Sequence, residues 1–161
     1  MSFDARTFRN ALGCFPTGVT IVTTMAGDAS PVGVTINSFC SVSLDPPLVL
    51  FCLDNKSTGL EAFKATRRFA INVLSQHQRE LSIRFASRLD DKWKEVPYER
   101  WGDGAPILGG CLANFDCTVV EIREGGDHQI FVGRVERLHC GDPGDPLVYY
   151  RGTYARLCEE S

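Results

Sequence analysis

The residues predict a mainly β protein, an antiparallel barrel carrying a few helices. Three observations carry this. β-Branched runs such as Val19–Met25 and apolar runs such as Leu48–Leu53 recur along the chain. They cluster as hairpins instead of alternating regularly with helices. No G-x-G-x-x-G follows the first strand, which counts against a doubly wound dinucleotide fold.

In chain order, Asp4 to Leu12 reads as a helix with Ser2 or Asp4 as its cap and Phe3, Phe8, Leu12 and Phe15 near one face. Pro16-Thr17-Gly18 ends it. Val19–Met25 is a strand, and Gly27-Asp28-Ala29-Ser30-Pro31 a hairpin-type turn. Val32 to Ser43 is a second strand interrupted by polar residues. Asp45-Pro46-Pro47 is a rigid turn because two fixed φ angles follow each other. Leu48–Leu53 is a buried strand. Ser57 or Thr58 caps a helix that runs to about Arg67, with Glu61 in its first turn. Phe69–Leu74 is a strand and Gln76–Ser87 a helix. Leu89 to Gly110 is a long irregular segment, a length that in a compact domain marks function or mobility. Cys111–Arg123 and Gln129–His139 form a hairpin around residues 124–128, and Pro146–Leu157 is a final β segment.

The length of 161 residues fits one domain spanning residues 1–161. Such a domain buries roughly 70% of its unfolded surface, enough for a proper core. A net charge of −3 and scattered basic residues argue against a nucleic-acid partner. The longest apolar run is too short to span a bilayer, and the N-terminus has no secretory h-region, so no membrane partner is expected. The seven cysteines are odd in number and contain no C-x-x-C pair. Five sit in apolar or strand-like runs as small hydrophobes, which fits a reduced cytoplasmic setting.

Gly33 to Thr58 is the stretch richest in chemistry. It presents Thr35, Asn37, Ser38, Ser41, Ser43, Ser57 and Thr58 beside apolar neighbours. One reading is a wet strand face or an edge, since Thr is a good strand former. The other is a holder for a flat, phosphorylated ligand. Under that reading the Ser57-Thr58 helix start supplies N–H groups, a dipole end and two hydroxyls, and Lys56 adds a cation. Nucleophilic catalysis has no support, because there is no G-x-S-x-G elbow. His77, His128 and His139 are dispersed, so no metal site is expected. Taken alone, Gly126-Asp127-His128 is ordinary hairpin-tip chemistry, Tyr149-Tyr150-Arg151 an edge strand, and Trp93 and Trp101 pins for the long loop.

Taken together, several blocks in order resemble the short-chain flavin reductase family, the flavin reductase-like FMN-binding domain. They are Phe8 to Thr24, then Gly33 to Phe39, Ser41-Val42-Ser43 with Asp45 to Leu48, and Asn55 to Thr58. Phe69 to Leu74, Phe85-Ala86, Gly126-Asp127-His128 and Pro146 to Gly152 complete the series. The resemblance covers nearly the whole chain. It implies a split β-barrel of antiparallel, Greek-key type that works as a homodimer. FMN, with FAD as a second candidate, would lie in a groove between subunits and accept a hydride from NADH or NADPH. A separate oxygenase component would receive the reduced flavin, as in two-component flavin-dependent monooxygenases.

By position in these blocks, the resemblance implies that Thr35, Asn37, Ser38 and Phe39 line the isoalloxazine and ribityl chain. Ser41, Ser57 and Thr58 would reach the ribityl and phosphate. Pro46 and Phe85-Ala86 would lie in the same site. His128 would meet the nicotinamide as the catalytic histidine, with Tyr149, Tyr150 and Arg151 near it. The same barrel could instead hold FMN or haem without catalysis. An oxidase of the pyridoxamine-phosphate type, which would need more cations, fits less well.

Overall fold

The computed structural model describes residues 3–158; Ser2, one of the two expected caps, lies outside them. The other cap is in place. Asp4 is extended and its carboxylate accepts from the Thr7 N–H at 2.7 Å, opening α1 (Ala5–Leu12). That bond holds the Asp4 carboxyl below the ordinary aspartate range. Gly13 closes the helix by donating to the Arg9 carbonyl. The α1 apolar stripe faces outward, with Phe8, Leu12 and, beyond the helix, Phe15 all exposed.

Twelve strands follow among the described residues. They are β1 (Thr17–Gly18), β2 (Thr20–Met25), β3 (Pro31–Ile36), β4 (Cys40–Leu44), β5 (Pro47–Asp54) and β6 (Arg68–Val73), then β7 (Tyr98–Arg100), β8 (Pro106–Leu108), β9 (Ala113–Gly125), β10 (His128–Cys140), β11 (Val148–Tyr150) and β12 (Thr153–Ala155). Two more helices, α2 (Leu60–Thr66) and α3 (Arg79–Ala86), lie between them. Seven strands form one antiparallel sheet in the order β3-β2-β6-β9-β10-β5-β4. A small sheet β1-β11-β12 and the hairpin β7-β8 complete the β structure.

The two edge strands, β3 and β4, are consecutive in the chain and joined only by Asn37–Phe39. A three-residue link spans at most about 10 Å, so the sheet must curl to bring its edges together. The single strand expected over Val32–Ser43 is therefore two strands at opposite ends of the sheet order. Ser38 pins the crossing through two bonds to the backbone of Cys52 on β5. The cis peptide at Asp45–Pro46 turns the chain from β4 into β5. This curled, antiparallel, mainly β architecture is the expected fold class.

β2 separates two cores and is buried on both faces. Inside the curl, Val22, Ile71, Phe51, Phe63, Phe69 and Phe131 form one cluster. Phe51 stacks on Phe131 with centroids 4.9 Å apart, and Phe69 meets Phe51 edge-on. On the outer side Val19, Ile21, Leu74, Phe85 and Leu147 pack with α3 and the small sheet. β5 alternates buried and half-exposed residues, as a strand with one core face does.

The expected long loop over Leu89–Gly110 is instead partly ordered. Its β7-β8 hairpin docks through a buried polar network. The Asn72 side-chain oxygen accepts from the Leu108 N–H and the Asn114 side-chain amide, both at 2.9 Å, and the Thr23 hydroxyl donates to the Pro106 carbonyl. The side chains of Thr23, Asn72 and Asn114 thereby find partners in an otherwise apolar layer. Trp93 packs edge-on against Phe85 and Tyr98, pinning the segment as expected. Of the cysteines, only Cys111 and Cys117 are buried and Cys52 half-buried, while Cys14, Cys40, Cys140 and Cys158 are exposed. Fewer of them serve as core hydrophobes than the strand-like runs imply. Among the described residues no helix is long and apolar enough to cross a membrane.

Candidate functional site

A cleft of about 190 Å³ opens between β3, the C-terminal end of α3 and the β11-β12 hairpin. It is lined by Val19, Thr35, Ile36, Asn37, Ala86, Tyr149 and Tyr154. Four residues expected at the site, Thr35, Asn37, Ala86 and Tyr149, meet here from three distant parts of the chain. Local folding explains each placement. Thr35 is near the end of β3, and its hydroxyl donates to the Ser82 carbonyl on α3 at 2.7 Å, fixing the helix against the strand. Gly33 lets α3 come this close, because a Cβ there would sit 2.6 Å from a Phe85 ring carbon. Asn37 is exposed at the start of the crossing link. The N–H groups of Asn37, Ser38 and Phe39 donate to no protein acceptor among the described residues, and of the three residues Asn37 lines the cleft.

Other expected residues have structural duties. The Ser38 hydroxyl is consumed by Cys52. The Phe39 ring packs on the inner core, with Phe115 at 5.9 Å. Phe85 is fully buried in the outer core and backs the cleft wall through Gly33 without facing the opening. Ser41 on β4 and Pro46 in the following turn are exposed and lie outside the cleft lining.

The second group gathers around Asn55. The Asn55 N–H donates to the Asp127 carbonyl at 2.9 Å, its amide donates to the Gly126 carbonyl, and Gln129 donates to its side-chain oxygen. This ties the Asn55–Thr58 segment to the β9-β10 turn. That turn has only two residues, Gly126 and Asp127. Gly126 adopts φ +73°, a left-handed value that favours glycine at the first position of such a turn. His128 is therefore the first residue of β10, paired with Asp54 of β5, and not part of a loop. Its side chain is 41% exposed and its Nδ1 lies 2.7 Å from the Asp127 carboxylate. The His128 hydrogen bond holds the Asp127 carboxyl below the usual range, with the His128 charge and Lys56 helping. Asp127 thus stays ionised and orients the ring.

Ser57 and Thr58 are not caps. The α2 N-cap is Gly59, which makes no side-chain cap bond, and the helix has only seven residues. The dipole argument for a phosphate seat weakens accordingly. The hydroxyls of Ser57 and Thr58 remain without protein partners among the described residues, with the Lys56 cation beside them. At the far end of the β11-β12 hairpin, Arg151 adopts φ +48° in the turn, and its guanidinium lies over the Tyr150 ring at 5.2 Å. Its N–H donates to the Gly13 carbonyl, fastening the hairpin to the end of α1.

Sequence reasoning missed Tyr154 and Ser82. The Tyr154 hydroxyl lies 2.8 Å from Ser82 Oγ, and its ring meets Tyr149 at 5.6 Å. The signal available was the Tyr-x-x-x-x-Tyr spacing across Arg151-Gly152. In a two-residue hairpin that spacing places the two rings opposite each other, as the Tyr149–Tyr154 register confirms.

Residues 12–157 match the family described as flavin reductase like domain. The chain is 44% identical over 156 residues to the flavin-dependent monooxygenase reductase subunit HsaB of Mycobacterium tuberculosis, covering 96% of this chain and 83% of that protein. It is 43% identical over 157 residues to the FMN reductase (NADH) SmoA of Agrobacterium fabrum, covering 98% and 88%. Among solved structures, the NADH:FAD oxidoreductase SgcE6 of Streptomyces globisporus C-1027, in complex with NAD and FAD fragments, superposes with a TM-score of 0.91 at 34% identity, over 98% of this chain and 95% of that one. Nitrilotriacetate monooxygenase component B from Mycobacterium thermoresistibile gives 0.90 at 44% identity, over 94% and 86%. A family match across nearly the whole chain, with relatives this similar over most of their own length, places the chain in the flavin reductase like domain family.

Proposed function

We infer that the chain is an NADH:flavin oxidoreductase that reduces FMN and supplies the reduced flavin to a separate oxygenase component. The single observation that carries this reading is the free backbone donor set at Asn37–Phe39, beside a cleft walled by two tyrosines. Flavin supplies the hydride-accepting ring when bound, and the nicotinamide supplies the hydride. The protein's task is to hold two flat rings at near-attack distance and to place donors where negative charge develops. The free N–H groups of Asn37, Ser38 and Phe39 suit that charge. Ser57, Thr58 and Lys56 suit a phosphate. His128, oriented by Asp127, orients the nicotinamide amide, and no side chain is needed as a general base. The relatives named as monooxygenase reductase subunits support the oxygenase partner, and SmoA supports NADH and FMN.

The working form is a homodimer. The cleft in one chain is smaller than the roughly 300–1,000 Å³ of ordinary ligand sites, as half of a shared groove would be. Large apolar side chains also stand exposed, including Phe15 at 74% and Leu44 at 96%. Sedimentation at micromolar concentration checks the dimer; a monomer at all concentrations contradicts it. Oxidation of NADH or NADPH with added FMN, FAD or riboflavin tests the activity. The expected result is turnover fastest with NADH and FMN, and a protein inert in every combination contradicts the reading.

A further inference from the structure

Tyr154 is held on three sides. Its hydroxyl is bonded to Ser82 Oγ on α3 at 2.8 Å. The Arg79 guanidinium lies over its ring, 5.3 Å from the centroid. The Tyr149 ring meets it at an interplanar angle of 72°. Its remaining surface lines the cleft. The same Ser82 accepts the Thr35 hydroxyl through its carbonyl, so one buried residue joins β3, α3 and β12. Those three elements are the walls of the cleft. A half-buried tyrosine fixed this fully does more than fill space, because a phenylalanine would fill it equally well.

We propose that Tyr154 is a positioning residue for hydride transfer: it sets Tyr149, and the Tyr149–Tyr154 pair forms the wall against which the nicotinamide ring lies. This rests on the reductase reading above. Two rings that react face to face need separate supports. The Asn37 side of the cleft offers hydrogen-bond donors, which suit the flavin edge. The hairpin side offers aromatic surface. Positive charge grows on the nicotinamide ring as the hydride leaves, and an electron-rich aromatic wall favours that change. The Ser82–Tyr154 bond sets the gap between the α3 end at Ala86 and Tyr149. Without it the hairpin keeps its β1 pairing, the Arg151–Gly13 bond, the Arg79 contact and its packing on the outer core, but loses its hydrogen bond to α3, and the gap loosens.

The test is anaerobic stopped-flow reduction of FMN by NADH in the wild type, Tyr154→Phe, Ser82→Ala and the double variant. Each single variant is expected to slow the limiting rate about three- to tenfold, the range one lost hydrogen bond allows. The double variant should be no slower than the slower single one, because both remove the same link. FMN affinity should stay unchanged, while the long-wavelength charge-transfer absorbance of the NADH–flavin complex weakens. A purely structural role would lower thermal stability without changing that absorbance, and this outcome overturns the proposal. A Tyr154→Phe rate equal to a functioning wild type also overturns it, leaving the reductase reading intact. A wild type that never reduces flavin overturns both.

Discussion

The Ser38 hydroxyl accepts from the Cys52 N–H at 3.0 Å and donates to the Cys52 carbonyl at 2.8 Å. One side chain thus replaces a ladder rung where the crossing link meets β5, and it holds the link whose first residue, Asn37, lines the cleft. Ser38→Ala should cost about 1–2 kcal/mol, because both Cys52 groups lose their partner in a half-buried place. Urea unfolding checks the loss, and flavin titration should show weaker binding. Wild-type stability together with wild-type affinity would contradict the role.

Gly33 works by absence. A methyl group there would stand 2.6 Å from a Phe85 ring carbon and 3.0 Å from Trp93. Gly33→Ala should destabilise the fold by about 1–3 kcal/mol through overpacking. It should also push α3, with Ala86, away from Thr35 and lower FMN affinity. Thermal melts and flavin titration together measure this, and an unperturbed variant would show that α3 has room to move.

Asp116 lies outside the site and is 1% exposed. Its Oδ2 accepts from Arg68 at 3.1 Å while its Oδ1 has no partner among the described residues. Burial raises its pKa above the usual 3.8, outweighing the pull of Arg68. A folded pKa above the unfolded one means that folding favours the protonated form. This group's contribution is therefore most favourable below its unfolded pKa, falls as pH rises through the folded value, and is constant above it. Asp116→Asn has no such titration. The stability of the wild type relative to Asp116→Asn should decline as pH rises from about 4 through the raised pKa. Urea unfolding of both proteins across that range measures the difference, and a pH-independent difference would contradict it.

His128 begins β10 directly after the two-residue turn, beside the ionised Asp127. His128→Ala should slow flavin reduction about tenfold, equivalent to ~1.4 kcal/mol of barrier, with little change in FMN affinity. Stopped-flow rates across NADH concentrations separate the two effects. An unchanged rate at every concentration would remove His128 from the mechanism.

The elements with strong local signals were legible in the sequence. Asp4 capped its helix, the β2 run formed a doubly buried strand, and the Gly126-Asp127 turn joined a long hairpin. What was not legible depended on distant partners. Nothing local distinguishes Val32–Ser43 as one strand from two strands on opposite edges; only the closure through Ser38 and Cys52 decides it. The order in Leu89–Gly110 comes from Asn72 and Asn114, far away in sequence. The same limit applied to the site. The hydroxyl-rich stretch pointed to a flat ligand, yet which hydroxyls were already committed to packing, as in Thr35 and Ser38, required the fold. The Tyr149–Tyr154 spacing pairs the two rings, but the bond from Tyr154 to Ser82 joins residues far apart in sequence and is visible only in the fold.

A protein that passes a hydride from NADH to bound flavin must bleach that flavin without oxygen. Anaerobic mixing of the protein and FMN with NADH, and with NADH deuterated at the transferring C4 position, tests it most directly. The flavin absorbance should bleach in step with NADH consumption, and deuteration should slow the bleaching. A flavin spectrum unchanged by NADH and by NADPH, with FMN, FAD and riboflavin alike, would contradict it.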